Sequence, residues 1–371
     1  MVQAPTKTMN KILKEDMIAI YDRLSDAERD KLRNSTIMLT GCGGFLGYYF
    51  MHFFTHFAEE LGIKKIIALE NFLTGTKDWL DELVENNTEL VKLHEFNVIT
   101  DSVEDVPGAS DVDIIVHMAS IASPTFYRIY PIETVDANIT GLRRLLDFFA
   151  NKTIKGFLFF SSSEIYGDPF PEFIPTNEEY RGNVATIGPR ACYDEAKRFG
   201  ETLCYLFAQK YNMAIGLARP FNNYGPGMNI NDKRLPADFA KAVIEGRDLE
   251  ILSDGSPTRT FCYISDAING YLKVLLHGKF DVFNIGMDNP ELSVKEFAEI
   301  FNKEGKEIFD YKGKISFNVS TDKEYLTDNP NRRCPDIAKA RTLLGYDPQV
   351  LVSDGVKRYL QFLKLNNGKL S

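Results

Sequence analysis

The chain has 371 residues, and at roughly 100–200 residues per domain this length predicts two domains, or one large domain with a lobe. Hydrophobic residues make up 44% of the chain and charged residues 26%, a composition that excludes disorder for most of the protein. The formal net charge is -9 and no dense basic run occurs, which argues against nucleic-acid binding as the main role.

The sequence also argues against a membrane or secreted protein. No apolar run approaches the roughly 18 residues of a membrane helix, and the first residues lack the apolar core of a signal peptide. Five cysteines are scattered without a CxxC pair, at Cys42, Cys192, Cys204, Cys262 and Cys334. This pattern favours a reducing compartment over a disulfide framework or a zinc ribbon, so we expect a cytoplasmic protein with no membrane partner. His52 and His56 are spaced i,i+4 without a third ligand near them in sequence, so we expect no metal site.

The amino-terminal segment, residues 1–34, precedes the first predicted strand. Residues 10–33 are amphipathic with a helical pattern, and Ser25 followed by Glu28 is a capping-box signal for a short second helix. We predict a helical extension that supports a subunit contact or covers an edge of the sheet.

From residue 35 onward, apolar strands alternate with helical patterns. Strands are predicted at 36–40, 65–70, 91–96, 113–117, 156–161 and 213–219, and helices at 45–61, 132–150 and 191–211. This order is typical of an α/β protein with a Rossmann-type, doubly wound parallel sheet. After about residue 221 the elements become shorter, with helices predicted at 235–245, 265–276 and 294–302. We predict a sheet domain over 35–220 and a smaller α/β substrate-binding lobe over 221–371, part of which returns to the first domain.

A glycine-rich turn follows the first strand. Gly41, Gly44 and Gly47 are spaced GxxGxxG between that strand and the next helix. Glycines let the backbone approach a pyrophosphate, whose charge the helix amino terminus attracts. Glu70 ends the second strand, where a carboxylate can bind ribose hydroxyls and repel a 2′-phosphate. The pattern predicts NAD, rather than NADP, bound to the 35–220 domain.

Two further segments carry candidate catalytic groups. Tyr193 and Lys197 are spaced i,i+4 on a predicted helix, so both side chains lie on one face. A nearby ammonium favours the phenolate of a tyrosine, which can then remove a hydroxyl proton during hydride transfer. Residues 161–164, Ser-Ser-Ser-Glu, follow an apolar strand at the sheet edge where open α/β proteins bind ligands.

Six segments in this order carry a family resemblance: TGCGGFLG, HMASIASP, SSSEIYGDP, IGPRACYDEAKR, RPFNNYGPGM and DGSPTRTFCYISDAINGY. They resemble the extended short-chain dehydrogenase/reductase family that modifies nucleotide sugars, the NAD-dependent epimerases and dehydratases. The likeness spans roughly residues 35–365. Within the family, SSSEIYGDP and IGPRACYDEAKR are most similar to the UDP-glucuronate decarboxylases.

The resemblance implies a mechanism with no net redox change. Tyr193, assisted by Lys197, would remove the C4 hydroxyl proton while NAD takes the hydride. The resulting 4-keto sugar is a β-keto acid and can lose carbon dioxide, after which C5 is protonated and C4 is reduced again. Ser162 would hydrogen-bond the C4 oxygen, and Ser163 and Glu164 would lie near C5 and C6. NAD would stay tightly bound between turnovers.

The resemblance also implies two sets of binding residues. The cofactor set is Gly41, Gly44, Phe45, Leu46, Gly47, Glu70, Asn71, Asn97, Val98, Met118, Ala119, Ser120, Ser161, Tyr193, Lys197, Pro220 and Asn223. The substrate set is Tyr127, Glu164, Asn222, Arg234 and Arg259. Arg259 would face the reacting end of the sugar or the phosphates, because a guanidinium holds anionic oxygens in a planar fork.

Several positions depart from the family pattern. Gly227 stands where the decarboxylases carry an arginine that helps to hold the cofactor, and Asn97 and Glu70 each replace the usual aspartate. Ser163 stands where the 4,6-dehydratases usually carry an aspartic acid, and a serine is a poor acid for eliminating water.

Several functions remain open at this level. The leading one is decarboxylation of UDP-glucuronate to UDP-xylose by a homodimer that pairs through helices. A nucleotide-sugar 4-epimerase or 4,6-dehydratase would share the C4 oxidation and differ in the product. A non-catalytic NAD-binding sensor or scaffold is the alternative outside enzymes.

Overall fold

The computed structural model describes residues 9–319, 327 and 330–367. The strands are β1 (Thr36–Thr40), β2 (Lys65–Glu70), β3 (Val91–Glu95), β4 (Ile114–His117), β5 (Gly156–Phe160), β6 (Ile215–Pro220), β7 (Asn223–Tyr224), β8 (Leu249–Ile251), β9 (Thr258–Arg259), β10 (Cys262–Tyr263), β11 (Asp281–Ile285), β12 (Leu292–Ser293), β13 (Ile315–Phe317) and β14 (Arg332–Arg333). The helices are α1 (Lys11–Asp22), α2 (Asp26–Leu32), α3 (Phe45–His56), α4 (Asp78–Glu85), α5 (Pro124–Ile129), α6 (Pro131–Asp136), α7 (Leu142–Phe149), α8 (Ala191–Tyr211), α9 (Leu235–Glu245), α10 (Ile264–Leu276), α11 (Val294–Phe309), α12 (Ala338–Leu344) and α13 (Val352–Leu365).

A seven-stranded parallel sheet with the order β11-β6-β5-β4-β1-β2-β3 forms the centre of the fold. Every residue of β1 and β5 is buried, as expected for parallel strands that helices cover on both faces. The strand order reverses between β1 and β4, and open α/β sheets bind ligands at the carboxyl ends of the strands beside such a reversal. The predicted α/β, doubly wound fold is confirmed.

The carboxy-terminal part of the chain contributes both to this sheet and to a lobe. Strand β11 pairs with β6 as the outermost strand of the sheet, with Asp281 opposite Gly216. The sequence pattern did not predict this strand. In the described residues the lobe carries three small sheets, and the sheet β12-β9-β14 contains Arg259 and Arg333.

The amino-terminal helices pack on other helices. Ser25 and Glu28 form the predicted capping box, with the Glu28 amide donating to Ser25 Oγ over 3.3 Å. Helix α1 contacts α3, α10 and α13, and Asp16 accepts hydrogen bonds from Tyr49 (2.7 Å) and Tyr263 (2.8 Å). All residues of α10 are buried, because the sheet covers one side and α1 and α2 the other. The extension therefore covers a helical layer, and the prediction that it covers a sheet edge is wrong. Residues 1–8 of the predicted extension lie outside the described residues.

The predicted helices differ from the observed ones at their ends. The helix predicted at 45–61 ends at His56, and the one predicted at 294–302 continues to Phe309. A π-helical turn at Ala137–Gly141 separates α6 from α7 within the helix predicted at 132–150. Across residues 9–319 and 330–367, none of the helices combines the length and apolar character that a membrane span requires.

Candidate active site

A cavity of about 1070 Å³ opens at the carboxyl ends of the central strands, between the sheet domain and the lobe. This volume lies just above the roughly 300–1,000 Å³ typical of ligand pockets. All residues of the predicted cofactor, substrate and catalytic sets line it.

The glycine turn forms one wall of the cavity through close backbone contacts. Gly41 has φ +70°, and a Cβ there would lie 2.7 Å from Cα of Ala119. A Cβ on Gly47 would lie 2.2 Å from the carbonyl oxygen of Cys42. Gly44 is the N-cap of α3 and has no side chain to bond the first amides of the helix. The turn therefore presents to the cavity a helix amino terminus that no N-cap side chain bonds, which fits a pyrophosphate.

Glu70 lies at the end of β2 as predicted, and its carboxylate also organises the loops beside it. Oε2 accepts from the amide of Gly43 at 2.7 Å, and Oε1 accepts from those of Asn71 and Phe72 at 3.0 Å each. Burial raises the pKa of Glu70, and these three amides oppose that shift. Because a carboxylate accepts about four hydrogen bonds, roughly one position remains for a ribose hydroxyl.

The rest of the cofactor set surrounds the glycine turn. Asn97 Oδ1 accepts from the amide of Ile99 at 3.0 Å, which fixes the turn after β3. Ser120 Oγ and Asn223 Oδ1 are buried, and no group in the described part of the chain hydrogen-bonds them. These cavity-lining oxygens are available to a polar ligand, which fits a nicotinamide dinucleotide. Ser161 instead donates its hydroxyl to Glu201 Oε1 over 2.5 Å.

Tyr193 and Lys197 lie together on the inner face of α8. Burial raises the pKa of the Tyr193 phenol to about 12, and a hydrogen bond with Ser162 opposes the shift. Lys197 Nζ donates to the carbonyl oxygen of Phe160 over 2.7 Å, and burial lowers its pKa to about 7. The ring of Tyr127 stacks on that of Tyr193, with centroids 5.2 Å apart and an angle of 14°. The predicted base is therefore held rigidly beside its lysine and serine.

Glu164 is held by two arginines that the sequence reasoning did not select. Arg333 donates to both carboxylate oxygens, with Nη2 2.6 Å from Oε2, and Arg190 also donates to Oε2. Burial disfavours the charge of Glu164, but Arg190 and Arg333 outweigh burial and lower its pKa. Glu164 is therefore a fixed anion at neutral pH and a poor proton donor.

Arg259 joins this group through the small sheet of the lobe. It lies opposite Arg333 in the register of β9 and β14, and its Nη1 donates to the carbonyl of Thr258 at 2.7 Å. Burial and the neighbouring Arg333 lower the pKa of Arg259 to about 9. Asp194 Oδ2 lies 3.6 Å from Nε of Arg190. Burial and the charge of Glu164 raise the pKa of Asp194. Three arginines thus face one firmly ionised carboxylate, and the surplus positive charge favours an anionic ligand.

Asn222 and Arg234 line the same cavity and already have partners within the protein. Asn222 Nδ2 donates to the carbonyl of Thr260 over 2.8 Å. Arg234 binds both oxygens of Asp232, at 2.5 and 2.8 Å, and its guanidinium lies 5.8 Å from the centroid of the Phe45 ring. Arg234 therefore stands near the start of α3, where it can reach a phosphate.

Comparisons with known proteins identify the family. Residues 37–286 match the family described as NAD dependent epimerase/dehydratase. The chain is 35% identical over 342 residues to UDP-glucuronic acid decarboxylase 1 of Xenopus tropicalis, covering 91% of this chain and 73% of that protein. The chain belongs to the NAD dependent epimerase/dehydratase family. The family predicted from the sequence motifs is confirmed.

Solved structures of this family share the fold. UDP-glucose 4-epimerase of Thermotoga maritima superposes with a TM-score of 0.76 at 24% identity, over 90% of this chain and 99% of that one. UDP-glucuronic acid 4-epimerase of Bacillus cereus, solved with UDP-glucuronic acid and NAD, gives a TM-score of 0.71 at 22% identity, over 89% and 99%. The family is NAD-dependent, and the glycine turn, Glu70 and the unpaired oxygens of Ser120 and Asn223 fit that cofactor.

The departure at Gly227 has a structural cause. Gly227 has φ +84°, and a Cβ there would lie 2.7 Å from Cδ1 of Tyr48. Tyr48 is buried on α3 and packs its ring against Trp79 at a centroid distance of 4.8 Å. The tyrosine occupies the space that an arginine at position 227 would need.

Proposed function

We propose that this member of the epimerase/dehydratase family decarboxylates UDP-glucuronate to UDP-xylose through transient oxidation at C4. The observation that carries the proposal is the group of Arg190, Arg259 and Arg333 in the same cavity as Tyr193 and Lys197. A cationic group beside an oxidising base suits a sugar whose reacting end is itself an anion. The decarboxylase names of the curated relatives support this choice.

In the first step, the chain's own groups control one proton. Tyr193 takes the proton of the C4 hydroxyl, Ser162 hydrogen-bonds the C4 oxygen, and the positive charge of Lys197 stabilises the phenolate. When bound at the glycine turn, NAD would accept the hydride that this oxidation releases and would later return it. The stacked ring of Tyr127 keeps water from the Tyr193 ring.

In the second step, the new C4 carbonyl makes the sugar acid a β-keto acid. The bond between C5 and the carboxyl carbon breaks, its electrons pass to the C4 oxygen, and carbon dioxide leaves. Ser162 and protonated Tyr193 lie where they stabilise the resulting enolate. Glu164 is expected to hold Arg190 and Arg333 in place rather than to donate a proton, because these arginines keep it ionised.

A 4-epimerase that acts on the same sugar acid is the second candidate. The Bacillus cereus structure carries UDP-glucuronic acid, and the same arginines would bind that carboxylate without its loss. A 4,6-dehydratase is less well supported, since Ser163 stands where an acid is needed. The non-catalytic sensor or scaffold is disfavoured by the intact arrangement of Tyr193, Lys197 and Ser162.

The mass of the product separates these functions. Purified protein is incubated with UDP-glucuronate without added cofactor, while nucleotide-sugar mass and the absorbance of reduced nicotinamide are followed. We expect loss of carbon dioxide, a UDP-pentose and little lasting reduced nicotinamide. An unchanged mass with inverted C4 stereochemistry would establish the epimerase, and an inert protein across a panel of nucleotide sugars would support the sensor or scaffold.

We infer that the protein is a homodimer formed through α8. This helix exposes Phe199 (48%), Tyr205 (49%) and Leu206 (54%) on the described chain, and large apolar side chains on one helix are typical of a subunit contact. Light scattering tests this inference. We expect the wild type to be a dimer and Leu206→Glu to be a monomer, and a monomeric wild type would contradict the inference.

We also infer a reducing, cytoplasmic compartment. All five cysteines are free thiols, and four of them are buried. Localisation of a tagged full-length protein tests the inference, and secretion to an oxidising compartment would contradict it.

A further inference from the structure

Three residues of α8, each one turn apart, bond three successive residues at the end of β5. Tyr193 hydrogen-bonds Ser162, Lys197 donates to the Phe160 carbonyl at 2.7 Å, and Glu201 accepts from Ser161 Oγ at 2.5 Å. The first two contacts belong to the catalytic groups. Glu201 does not line the described cavity, and the mechanism gives it no role.

Arg219 on β6 fixes the carboxylate of Glu201 in place. Its Nε donates to Oε1 at 2.8 Å and its Nη2 to Oε2 at 2.7 Å, a two-point ion pair. The side chain of Arg219 is 8% exposed and that of Glu201 15% exposed. A buried two-point pair permits little rotation of either group. The acceptor that Ser161 meets is therefore rigid.

The same network reaches the segment that carries Arg333. Arg219 Nη1 donates to the hydroxyl of Tyr166, which donates to Asn284 Oδ1, each over 2.7 Å. Asn284 Nδ2 in turn donates to the carbonyls of Thr176 at 2.9 Å and Asp336 at 3.1 Å. Asp336 follows β14 by three residues. One set of largely buried hydrogen bonds thus joins the catalytic helix to the end of β5 and to the segment after β14.

We propose that Glu201 is a positioning residue for the C4 oxidation: held by Arg219, it anchors Ser161 and so fixes Ser162 and the Phe160 carbonyl opposite Tyr193 and Lys197. This inference rests on the oxidation step of the proposed function and is independent of whether carbon dioxide is lost. Small displacements of a proton acceptor and its partners reduce the rate of the chemical step more than they weaken binding.

Four variants test the role. Glu201→Gln removes the charge that Arg219 holds, whereas Ser161→Ala removes only the linking hydroxyl and leaves the ion pair intact. The double variant tests whether the two act in one chain of contacts. Glu195→Gln is the matched control, since Glu195 lies on the same helix, 40% exposed, 3.7 Å from Arg198. Circular dichroism gives the folded fraction by which every rate is corrected.

We expect kcat to fall about tenfold in Glu201→Gln and in Ser161→Ala, with KM changed less than about twofold and with no further loss in the double variant. The pH–rate limb of Tyr193 should move to higher pH, and hydrogen exchange of the backbone amides at 161–164 should be faster than in wild type. Hydrogen exchange needs no turnover, so it stays informative if the protein proves inert toward UDP-glucuronate. Rates within twofold of Glu195→Gln, losses that multiply in the double variant, or unchanged hydrogen exchange at 161–164 would overturn the proposal.

Discussion

The two sides of the cavity are built in different ways. The cofactor side depends on the backbone of the glycine turn, where Gly41 and Gly47 approach Ala119 and Cys42 too closely for any Cβ. The reacting side depends on side chains from distant segments, since Arg190 and Arg333 meet at Glu164 across a separation of 143 positions (333 minus 190). A local motif therefore identifies the first side, and only tertiary structure assembles the second.

The largest expected effect tests the reacting side at its centre. Tyr193→Phe removes the phenolic oxygen and keeps the ring stacked on Tyr127, so the fold should persist while the C4 proton has no acceptor. We expect kcat for UDP-glucuronate to fall by about 10³-fold, within the range for general-base catalysis. Mass spectrometry of the product measures it. Tyr211→Phe, at the carboxyl end of α8 and outside the cavity, is the control, and equal activity of the two variants would exclude Tyr193 as the base.

The second effect tests the arginines of the reacting side. Arg333→Met leaves Glu164 with Arg190 alone and removes a positive charge from the cavity. We expect kcat/KM for UDP-glucuronate to fall about 100-fold, because the buried carboxylate of Glu164 keeps one of its two arginines and the cavity loses a positive charge. Calorimetric binding should weaken more for UDP-glucuronate than for UDP-glucose, whose sugar carries no charge. Arg332→Met is the control, since Arg332 is 46% exposed and pairs with Glu291. Equal losses of affinity for the two nucleotide sugars would show that Arg333 does not bind the sugar carboxylate.

The third effect tests the backbone contacts of the cofactor side. Gly41→Ala places a methyl group 2.7 Å from the backbone of Ala119 and strains a residue at φ +70°. We expect at least a tenfold loss of NAD retained through gel filtration. Gly246→Ala is the matched control: it has φ +69° and no atom within 4 Å of the added Cβ. Full NAD retention in Gly41→Ala would mean that the glycine turn tolerates a side chain at position 41 and that close backbone contacts do not limit the cofactor side.

The smallest effect concerns the charge of Lys197. Its pKa is lowered by burial to about 7, whereas an unfolded chain binds that proton up to about pH 10.4. Between these values the unfolded state binds more protons, so stability rises with pH. The free energy of unfolding of wild type minus that of Lys197→Met should stay constant below pH 7 and rise by roughly 1.4 kcal/mol per pH unit above it. Denaturant titrations at pH 6, 7 and 8 measure this difference. A difference that does not change with pH would mean that the pKa of Lys197 is not lowered and that its ammonium is solvated.

Much of the fold follows from local sequence. Strands β1 and β2 and helices α8 and α9 have the predicted limits, because each combines a clear apolar pattern with glycine, proline or polar residues at its ends. Strand β11 was not predicted, since its five residues stand in the lobe half and only pairing with β6 reveals their place. The helices within residues 10–33 were predicted correctly, but α1 and α2 lie on α10 and not on a sheet edge, because an amphipathic pattern does not specify which surface it covers. The alternative of a subunit contact stays a prediction.

The site follows the same division. Gly41, Gly44, Gly47 and Glu70 were recognisable because spacing along one βαβ unit determines their geometry. Arg190 was overlooked although it lies three residues before Tyr193, a position that brings it to the same end of α8. Arg333 had no local signal at all, because its role arises from pairing with Arg259 in a sheet of two-residue strands.

The most direct test of the account follows the hydrogen at C4. Wild-type protein converts UDP-glucuronate that carries deuterium at C4 and ¹³C in the carboxyl group, with unlabelled NAD in excess. We predict that the ¹³C leaves as carbon dioxide and that the deuterium is retained at C4 of UDP-xylose, because oxidation and reduction use the same tightly bound cofactor. Loss of the carboxyl carbon with the deuterium released to solvent, or retention of the carboxyl carbon, would contradict decarboxylation through a transient 4-keto sugar.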